Sequence, residues 1–269
     1  MGILNITPDS FSDGGMYYRK LDKAVTRARK MLADGADIID VGGESSRPGS
    51  QTISVEEELE RVIPVIRQMR AEMGANFDIS IDTYKSKVAG EALKAGATMI
   101  NSLGGFTFDP DLAEVVAKSQ CKVVLYHIKG EPRTMQTGRI TYEDVIAEIN
   151  LFFEEQLATA YKAGAKRELC ILDPGIGFGK SVEHNLEIIR KLSAFQKHKL
   201  PLMIGVSRKG HLGMVLQNKL SLKNMPEPLE RLEASLAETA IAVVNGATYV
   251  RTHDVKETKK FLTVLEELL

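Results

Sequence analysis

Apolar runs of strand length alternate along the chain with longer segments whose apolar residues recur at helical spacing, as in 59–69. The short runs are apolar throughout, which is typical of strands covered by helices on both faces of a parallel sheet. The eight runs cover residues 2–6, 37–42, 78–82, 98–101, 122–127, 169–173, 202–207 and 248–253.

A Gly-Ala pair recurs between a helical segment and the strand-like run that follows it. The pairs begin at Gly35, Gly96, Gly164 and Gly246. Glycine just past a helix end supplies the left-handed conformation that terminates the helix. The repeated order of helix, Gly-Ala and strand predicts crossover connections and therefore a parallel sheet.

Eight strand-helix units in a chain of 269 residues fit an α/β protein with a (β/α)8 (TIM) barrel fold. A doubly wound open sheet is the alternative, because periodicity alone does not show whether the sheet closes. No Pro/Gly/Ser-rich linker divides the sequence, so we predict a single domain over residues 1–269.

Polar or charged side chains follow each of the strand-like runs at its carboxyl end. In a barrel these ends meet at one face, where active sites lie. One polar terminus is uninformative, whereas a complete set that mixes amides, carboxylates and cations favours a functional site. The residues are Asn5, Glu44, Asp82, Asn101, His127, Asp173, Ser207 to Lys209, Arg251 and His253.

The carboxylates and amides in this set suggest two kinds of ligand. Asp82, Asn101 and Asp173 offer partners for a heterocycle that carries N–H donors. Asn5 and the loop behind it offer oxygen ligands for a hard cation such as magnesium, which binds through few protein groups and a phosphate.

The charge balance limits the class of partner. The chain has 35 Lys and Arg residues against 36 Asp and Glu residues, a net charge of −1. This balance argues against nucleic acid or an anionic membrane as partner. It leaves room for a local cationic site, and Lys209, Arg251 and His253 offer donors for a small anion such as phosphate.

The remaining composition favours a cytoplasmic protein. The N-terminal residues lack the basic start and apolar stretch of a signal peptide, and no run reaches the roughly 20 apolar residues of a membrane span. Cys121 and Cys170 lie inside apolar runs. This position predicts buried free thiols in a reducing compartment.

Three loops combine irregular backbone with residues that solvated turns do not require. Loops 5–15 and 42–51 are rich in Gly, Pro, Ser and Asp, yet contain Phe11 and Arg47. Such loops on the active face of a barrel often act as lids. The third loop, 173–180 (DPGIGFGK), has neither the Walker nor the G-x-G-x-x-G spacing.

These motifs resemble the dihydropteroate synthase family along nearly the whole chain. The matching segments are MGILNITPDSFSDGG, DIIDVGGESSRPG, ISIDTYK, DPGIGFGK, GVSRK and VRTHDV. The resemblance implies a transferase of folate biosynthesis that joins 6-hydroxymethyl-7,8-dihydropterin pyrophosphate to p-aminobenzoate, giving 7,8-dihydropteroate and pyrophosphate. It further implies a Mg²⁺ cofactor, a homodimer and a target of sulfonamides.

The resemblance also implies three groups of contacts. The pterin would contact Asp82, Asn101, Asp173, Gly205 and Lys209. The pyrophosphate would contact Asn5, Arg251 and His253, with the metal near Asn5. The p-aminobenzoate site and its loops would involve Phe11, Asp13, Ser46, Arg47, Pro48, Phe178, Lys209 and Gly210.

The chemistry of the residues agrees with this assignment. Cleavage of the C–O bond to pyrophosphate leaves a pterin methylene cation, and the arylamine is itself a good nucleophile. We therefore expect a dissociative substitution without a nucleophilic Ser or Cys. Carboxylates would favour the cation, and cationic groups the leaving group. The catalytic residues would be Asp82, Asp173, Lys209, Arg251 and His253.

The sequence departs from the family pattern at six positions: Ser46, Ser102, Tyr126, Gly210, His211 and Ala234. Gly210 stands where the family has serine, so only its backbone N–H would remain for the p-aminobenzoate carboxylate. Tyr126 is expected near the pterin, and His211 could approach the site.

The other histidines indicate less. His184 and His198 are expected at the surface, with His184 near a helix start. His127 has a structural or a pocket role, and the sequence favours neither.

Two other functions compete with the synthase. A methyltetrahydrofolate-type methyltransferase would share the pterin contacts but would bind no pyrophosphate. A non-catalytic pterin-binding protein would have lost charged site residues, and none is lost. The first strand begins at Gly2, so we expect either a trimmed chain or one part of a bifunctional chain.

Overall fold

The strands predicted from the sequence are all present. The protein is described by a computed structural model over residues 1–7, 21–45, 49–135 and 140–269. Its strands are β1 (Gly2–Asn5), β2 (Ile38–Gly42), β3 (Asp78–Asp82), β4 (Met99–Leu103), β5 (Lys122–Tyr126), β6 (Cys170–Asp173), β7 (Leu202–Ile204) and β8 (Ala247–Val250).

The strands pair in parallel and in chain order from β1 to β8. A parallel bridge between Gly2 and Thr252 joins the two ends of this sheet. The Ile3 N–H donates to the Thr252 carbonyl at 3.0 Å, and the Thr252 N–H donates to the Met1 carbonyl at 2.9 Å. The sheet is thus a (β/α)8 barrel, as predicted, and the doubly wound open sheet is wrong.

Helices alternate with the strands and cover the outer face of the sheet. Within the described residues they are α1 (Leu21–Ala33), α2 (Val55–Met73), α3 (Ser86–Ala95), α4 (Leu112–Ser119), α5 (Val145–Ala163), α6 (Val182–Arg190), α7 (Gly210–Lys219), α8 (Leu232–Val244) and α9 (Val255–Glu266). Short 3-10 helices span Arg167–Leu169, Leu192–His198 and Pro228–Arg231.

Local sequence signals set several helix ends. The Ser54 side chain accepts from the Glu57 N–H at the start of α2, and Asp144 accepts from two N–H groups at the start of α5. The glycines of the Gly-Ala repeat all have positive φ, including 116° at Gly96. The predicted left-handed conformation after each helix is therefore confirmed.

Side chains point alternately into and out of the barrel along each strand, and the interior side chains form two levels. Side chains such as Ile38, Met99 and Ile171 form an apolar cluster inside the sheet. Two residues further along β2 and β4, the interior positions are Asp40 and Asn101, both buried. Because strand side chains point to one face every second residue, the apolar floor carries a polar layer at the carboxyl end.

Two strands end well before the positions that the sequence predicts. β7 ends at Ile204 and β8 at Val250, each three residues before the predicted end. After β7 the chain turns, with the Lys209 N–H donating to the Val206 carbonyl at 3.2 Å. Arg208 has φ of 60° there. The residues after both strands therefore belong to loops at the barrel mouth.

Two histidines predicted at the surface have other positions, so those predictions are wrong. His198 is buried, its Nε2 lies 2.8 Å from Asn150 Oδ1, and its ring packs edge-on against Phe153. His184 is half-buried, and its Nδ1 accepts from the Ser181 N–H in a capping box at the start of α6. Short-range patterns do not report these tertiary and capping partners.

Cys121 and Cys170 are buried free thiols, which confirms the prediction of their burial and free state. None of the helices in the described part of the chain is long and apolar enough to cross a membrane.

Candidate active site

The carboxyl ends of the strands surround one cavity of about 480 Å³, which we call the mouth cavity. It lies above the polar layer of the barrel interior, as expected for the active face of a barrel. Its walls include Asn5, Glu44, Asp82, Phe178, Lys180, Gly205, Ser207, Lys209, Gly210, His211, Arg251 and His253.

Most of the described site residues predicted from the sequence line this cavity. Asn101 and Asp173 do not; they lie deeper in the barrel and are 1% and 6% exposed. Phe11, Asp13, Ser46, Arg47 and Pro48 lie outside the described residues.

Arg251 bridges two carboxylates in the barrel interior. Its Nη2 donates to Asp82 Oδ2 at 2.7 Å, and its Nε donates to Asp40 Oδ2 at 2.7 Å. Arg251 follows β8, whereas the carboxylates come from β2 and β3. The guanidinium is thus paired on the carboxylate side of the site, and its expected role toward pyrophosphate stays a prediction.

Asp40 is a candidate functional residue that analysis of strand ends missed. It is fully buried in the middle of β2, and its Oδ2 also accepts from Asn101 Nδ2 at 3.2 Å. Asp40 Oδ1, Asn101 Oδ1 and Ser80 Oγ have no hydrogen-bond partner among the described residues. A carboxylate inside an otherwise apolar strand was the available signal, since charges are buried only where something pairs with them.

The two predicted carboxylates have raised pKa values. Burial raises the pKa of Asp82 to about 7; Arg251 opposes this shift and Asp40 adds to it. Burial raises the pKa of Asp173 to about 6, against the hydrogen bond that its Oδ1 accepts from the Gly175 N–H at 2.7 Å. Near neutral pH both groups are close to their pKa values, so a ligand that donates hydrogen bonds to them favours their ionised forms.

Lys209 enters the cavity from the loop after β7 and lies against an aromatic ring. Its Nζ is 4.1 Å from the centroid of the Phe178 ring. Phe178 meets Tyr126 edge to face, with ring centroids 5.1 Å apart. Burial lowers the pKa of Lys209 to about 8, and Arg251 adds to the lowering. The lysine therefore joins the polar side of the cavity to an aromatic wall.

The other residues of the loop after β7 hold the segment after β8 in place. Ser207 Oγ lies 3.2 Å from His253 Nδ1 and also accepts from the His253 N–H. Arg208 Nε donates to Asp254 Oδ2 at 3.0 Å. The left-handed backbone at Arg208 turns consecutive side chains to different partners, so that Lys209 alone of the three points to the aromatic wall.

The donor set suits a magnesium ion that is shared with a substrate. Asn5 pairs in register with Gly42, and Gly42 pairs with Asp82. Asn5 lines the mouth cavity, and its Oδ1 lies beside Gly42, which adds no side chain there. The described residues contain no cluster of three acidic, His or Cys side chains that would form a metal cage on its own. Magnesium commonly binds in this way, through one or two protein oxygens, substrate phosphates and water.

Comparison with known proteins agrees with this geometry. A family model described as pterin binding enzyme matches residues 1–253. The dihydropteroate synthase of Escherichia coli (strain K12) is 45% identical over 271 residues, covering 100% of this chain and 91% of the relative.

Two solved structures are also similar over the full chain. The dihydropteroate synthase of Yersinia pestis in a sulfonamide drug complex has a TM-score of 0.92 and 40% identity, covering 100% of this chain and 93% of the other. The Xanthomonas albilineans dihydropteroate synthase in complex with 7,8-dihydropteroate has a TM-score of 0.83 and 35% identity, with coverage of 100% and 92%. This chain belongs to the pterin-binding enzyme family and, within it, to the dihydropteroate synthases, which are transferases of folate biosynthesis.

Proposed function

We propose that this chain condenses 6-hydroxymethyl-7,8-dihydropterin pyrophosphate with p-aminobenzoate in the mouth cavity, by dissociative substitution. The observation that carries the proposal is the combination of carboxylates and cations around one cavity. Asp82 lines the cavity and the buried Asp173 lies deeper in the barrel, while the cations Lys209 and Arg251 come from the loops after β7 and β8.

The reaction breaks one bond and forms another at the pterin methylene carbon. The C–O bond to pyrophosphate breaks with both electrons on oxygen, and the arylamine nitrogen then attacks the methylene cation and loses a proton. Asp82 and Asp173 accept hydrogen bonds from pterin N–H groups and stabilise the positive charge that spreads into the ring. Their low exposure strengthens this interaction, because little water competes for the carboxylates.

The leaving group lies beside the pterin in this proposal, at the junction of the first and last strands. Asn5 at the end of β1 and Arg251 and His253 in the segment after β8 line the cavity there, and the two strands are neighbours in the closed barrel. Arg251 keeps a partner in Asp40 whether or not a ligand binds Asp82. Magnesium, held by Asn5 and the pyrophosphate oxygens, would neutralise charge that develops on the leaving group.

The arylamine would bind between Phe178, Lys209 and the start of α7. Phe178 offers an aromatic wall, and Lys209 stands over it with its ammonium group. Gly210 is the first residue of α7, so its backbone N–H is one of the unpaired donors at a helix start, which suit a carboxylate.

A coupled assay tests the proposal. The protein is incubated with dihydropterin pyrophosphate, p-aminobenzoate and Mg²⁺, and both dihydropteroate and pyrophosphate are measured. We expect equal amounts of the two products, and only when both substrates are present. Methyl transfer to a corrinoid acceptor without pyrophosphate release would contradict it. Sulfonamides should compete with p-aminobenzoate, and EDTA should abolish turnover until Mg²⁺ is restored.

We also propose that two copies form a homodimer through α8 and the segment before it. Leu229, Ile241 and Val244 are 67%, 47% and 56% exposed there, an apolar surface that a partner would cover. Light scattering should give twice the chain mass for the native protein and a monomer for Ile241→Glu. A monomeric native protein would contradict this part of the proposal.

Finally, we propose that the protein acts in the cytoplasm. Its two free, buried thiols suit a reducing compartment. Cell fractionation with a tagged chain would test this placement, and recovery in a secreted or membrane fraction would overturn it.

A further inference from the structure

Lys180, at the end of the loop between β6 and α6, turns its side chain back into the protein. The residue is 3% exposed. Its Nζ lies 2.9 Å from His127 Nδ1 and donates to the Phe178 carbonyl at 3.0 Å. Among the described residues these two neutral groups, rather than a carboxylate, are its hydrogen-bond partners. A buried lysine with such partners is costly, which calls for a reason beyond solubility.

The surroundings of the pair favour donation from Lys180 to His127. Burial lowers the pKa of His127 far below its usual range, and Lys180 adds to the lowering; burial also lowers the pKa of Lys180. A neutral imidazole with its lone pair on Nδ1 accepts from the Lys180 amine, which also donates to the Phe178 carbonyl. The imidazole also packs edge to face against Phe152, with the two ring centroids 5.0 Å apart.

The loop that ends at Lys180 packs directly against the backbone that follows β5. A Cβ on Gly175 would come within 1.8 Å of the His127 carbonyl oxygen, and one on Gly179 within 2.2 Å of the Lys129 carbonyl oxygen. The His127 N–H also donates to the Asp173 carbonyl at 2.9 Å. The two segments therefore form one closely packed layer in which there is no space for a side chain on either glycine.

This layer presents Phe178 to the mouth cavity. The Lys180 amine is bonded to the carbonyl of Phe178 itself. The Phe178 ring in turn contacts Tyr126 on one side and lies 4.1 Å from the Lys209 ammonium group. A displacement of the Phe178 backbone would move the surface on which Lys209 rests.

We propose that Lys180 is a positioning residue, which acts with His127 to fix Phe178 as the wall of the arylamine subsite. The inference rests on the proposed function, because it assigns the aromatic wall to p-aminobenzoate. It differs from a general packing role in one respect. The loss of Lys180 should weaken the arylamine site selectively and leave the pterin contacts on β3 and β4, Asp82 and Asn101, in place.

A fluorescence experiment tests the position of residue 178 without using activity. The chain contains no tryptophan, so Phe178→Trp introduces a single reporter. In this background Lys180→Met should shift the emission to longer wavelength and make the indole more accessible to acrylamide. Lys191→Met removes an exposed lysine paired with Glu187 and should leave the spectrum unchanged. Identical spectra for the Lys180 and Lys191 variants would overturn the proposal.

Steady-state kinetics then separate positioning from loss of structure. In the otherwise native chain, Lys180→Met should raise KM for p-aminobenzoate about tenfold, with kcat and KM for the pterin substrate changed by less than about threefold. Equal effects on both KM values, or none, would overturn the proposal.

A second pair of variants covers the case in which Lys180→Met fails to fold. His127→Asn keeps an acceptor for Lys180, and His127→Leu removes it. Only the leucine variant should raise KM for the arylamine; equal behaviour of the two would overturn the proposal. If the native protein lacks synthase activity, the proposed function fails, while the fluorescence result still decides whether Lys180 fixes residue 178.

Discussion

Arg251 Nη2 and Asp82 Oδ2 lie 2.7 Å apart, although the two residues are separated by 169 positions in sequence. The pair joins the residue after the last strand to the end of the third across the interior of the barrel. Since Arg251 is also hydrogen-bonded to Asp40, a pterin that donates hydrogen bonds to Asp82 does not leave the guanidinium unpaired. The carboxylate can therefore exchange a protein partner for a ligand at a modest electrostatic cost.

Asp40→Asn should shift the pH dependence of the reaction. The negative charge of Asp40 contributes to the raised pKa of Asp82, so removing it should move the acid limb of kcat/KM for the pterin substrate to lower pH. Looser positioning of Arg251 should also lower kcat/KM about tenfold. The measurement is a pH–rate profile between pH 5 and 9. The control is Asp34→Asn, which removes a carboxylate paired with Lys30 in the turn before β2, outside the mouth cavity. An acid limb at the native position would contradict this role of Asp40.

Asp82→Asn should inactivate the protein and stabilise the ligand-free fold at pH 7.5. The pKa of Asp82 in the folded protein is raised to about 7, so folding favours the neutral carboxyl group. This group stabilises the fold fully at pH values below its unfolded pKa, and the stabilisation is lost as pH rises through about 7. At pH 7.5 the native chain holds a buried charge that asparagine removes, so its thermal midpoint should be lower than that of the variant.

The same comparison at pH 4 provides the control for Asp82→Asn, since the carboxyl group is then neutral and the difference in midpoint should vanish. Activity should fall at least about 100-fold, as expected for loss of charge stabilisation. A variant that retains activity within about threefold, or that melts below the native chain at pH 7.5, would refute the charge-stabilisation account.

Local patterns in the sequence were sufficient for the fold. The apolar runs predict all the strands, and a glycine such as Gly96 marks the helix end that the structure has there. Strand-end polarity predicts Asp82 and Lys209 at one cavity, where both lie. These features depend on neighbours within a few residues, which is why the sequence reports them.

The partners of the site residues could not be predicted in the same way. Asp40 meets Arg251 only because the barrel closes, and Lys180 meets His127 only because two loops stack on adjacent strands. Neither residue stands at a strand end, so the polarity of strand ends does not identify it. The charge partner of a residue inside the barrel depends on closure of the sheet. The hydrophobic periodicity of the sequence therefore does not predict that partner.

Lys85→Met should destabilise the protein, and the loss should depend on pH. Lys85 Nζ donates to Glu44 at 2.6 Å and to Glu58 at 2.7 Å, and Glu58 is almost fully buried. Without the ammonium group both carboxylates lose their cationic partner, and Glu44 keeps only the neutral donors Tyr84 and Ile53. The loss should cost about 3 kcal/mol at pH 8. Burial raises the pKa of Glu58, so this carboxyl is more stable in its neutral form, and its penalty should fall as pH drops toward 5.

Urea unfolding at pH 5 and pH 8 measures this effect. The matched control is Lys87→Met, two residues away, because its pair with Glu56 is exposed on both sides. The control should change the free energy of unfolding by less than about 0.5 kcal/mol at either pH. If Lys85→Met behaves like the control, the buried ion pairs do not stabilise this end of the sheet.

Gly210→Ser should tighten the binding of p-aminobenzoate and of sulfonamides. A Cβ at Gly210 would meet no atom within 4 Å, so a serine side chain has room at the start of α7. By contrast, a Cβ at Gly213 in the same helix would lie 2.8 Å from Arg231 Nε. The added hydroxyl would donate to the carboxylate beside the backbone N–H. This hydrogen bond to a charged group should lower KM for p-aminobenzoate about tenfold.

Gly210→Ala fills the same space without a hydroxyl and separates hydrogen bonding from any change in the helix. KM and the sulfonamide inhibition constant should fall for serine and stay at the native value for alanine; equal values for both variants would show that no carboxylate binds at this helix start.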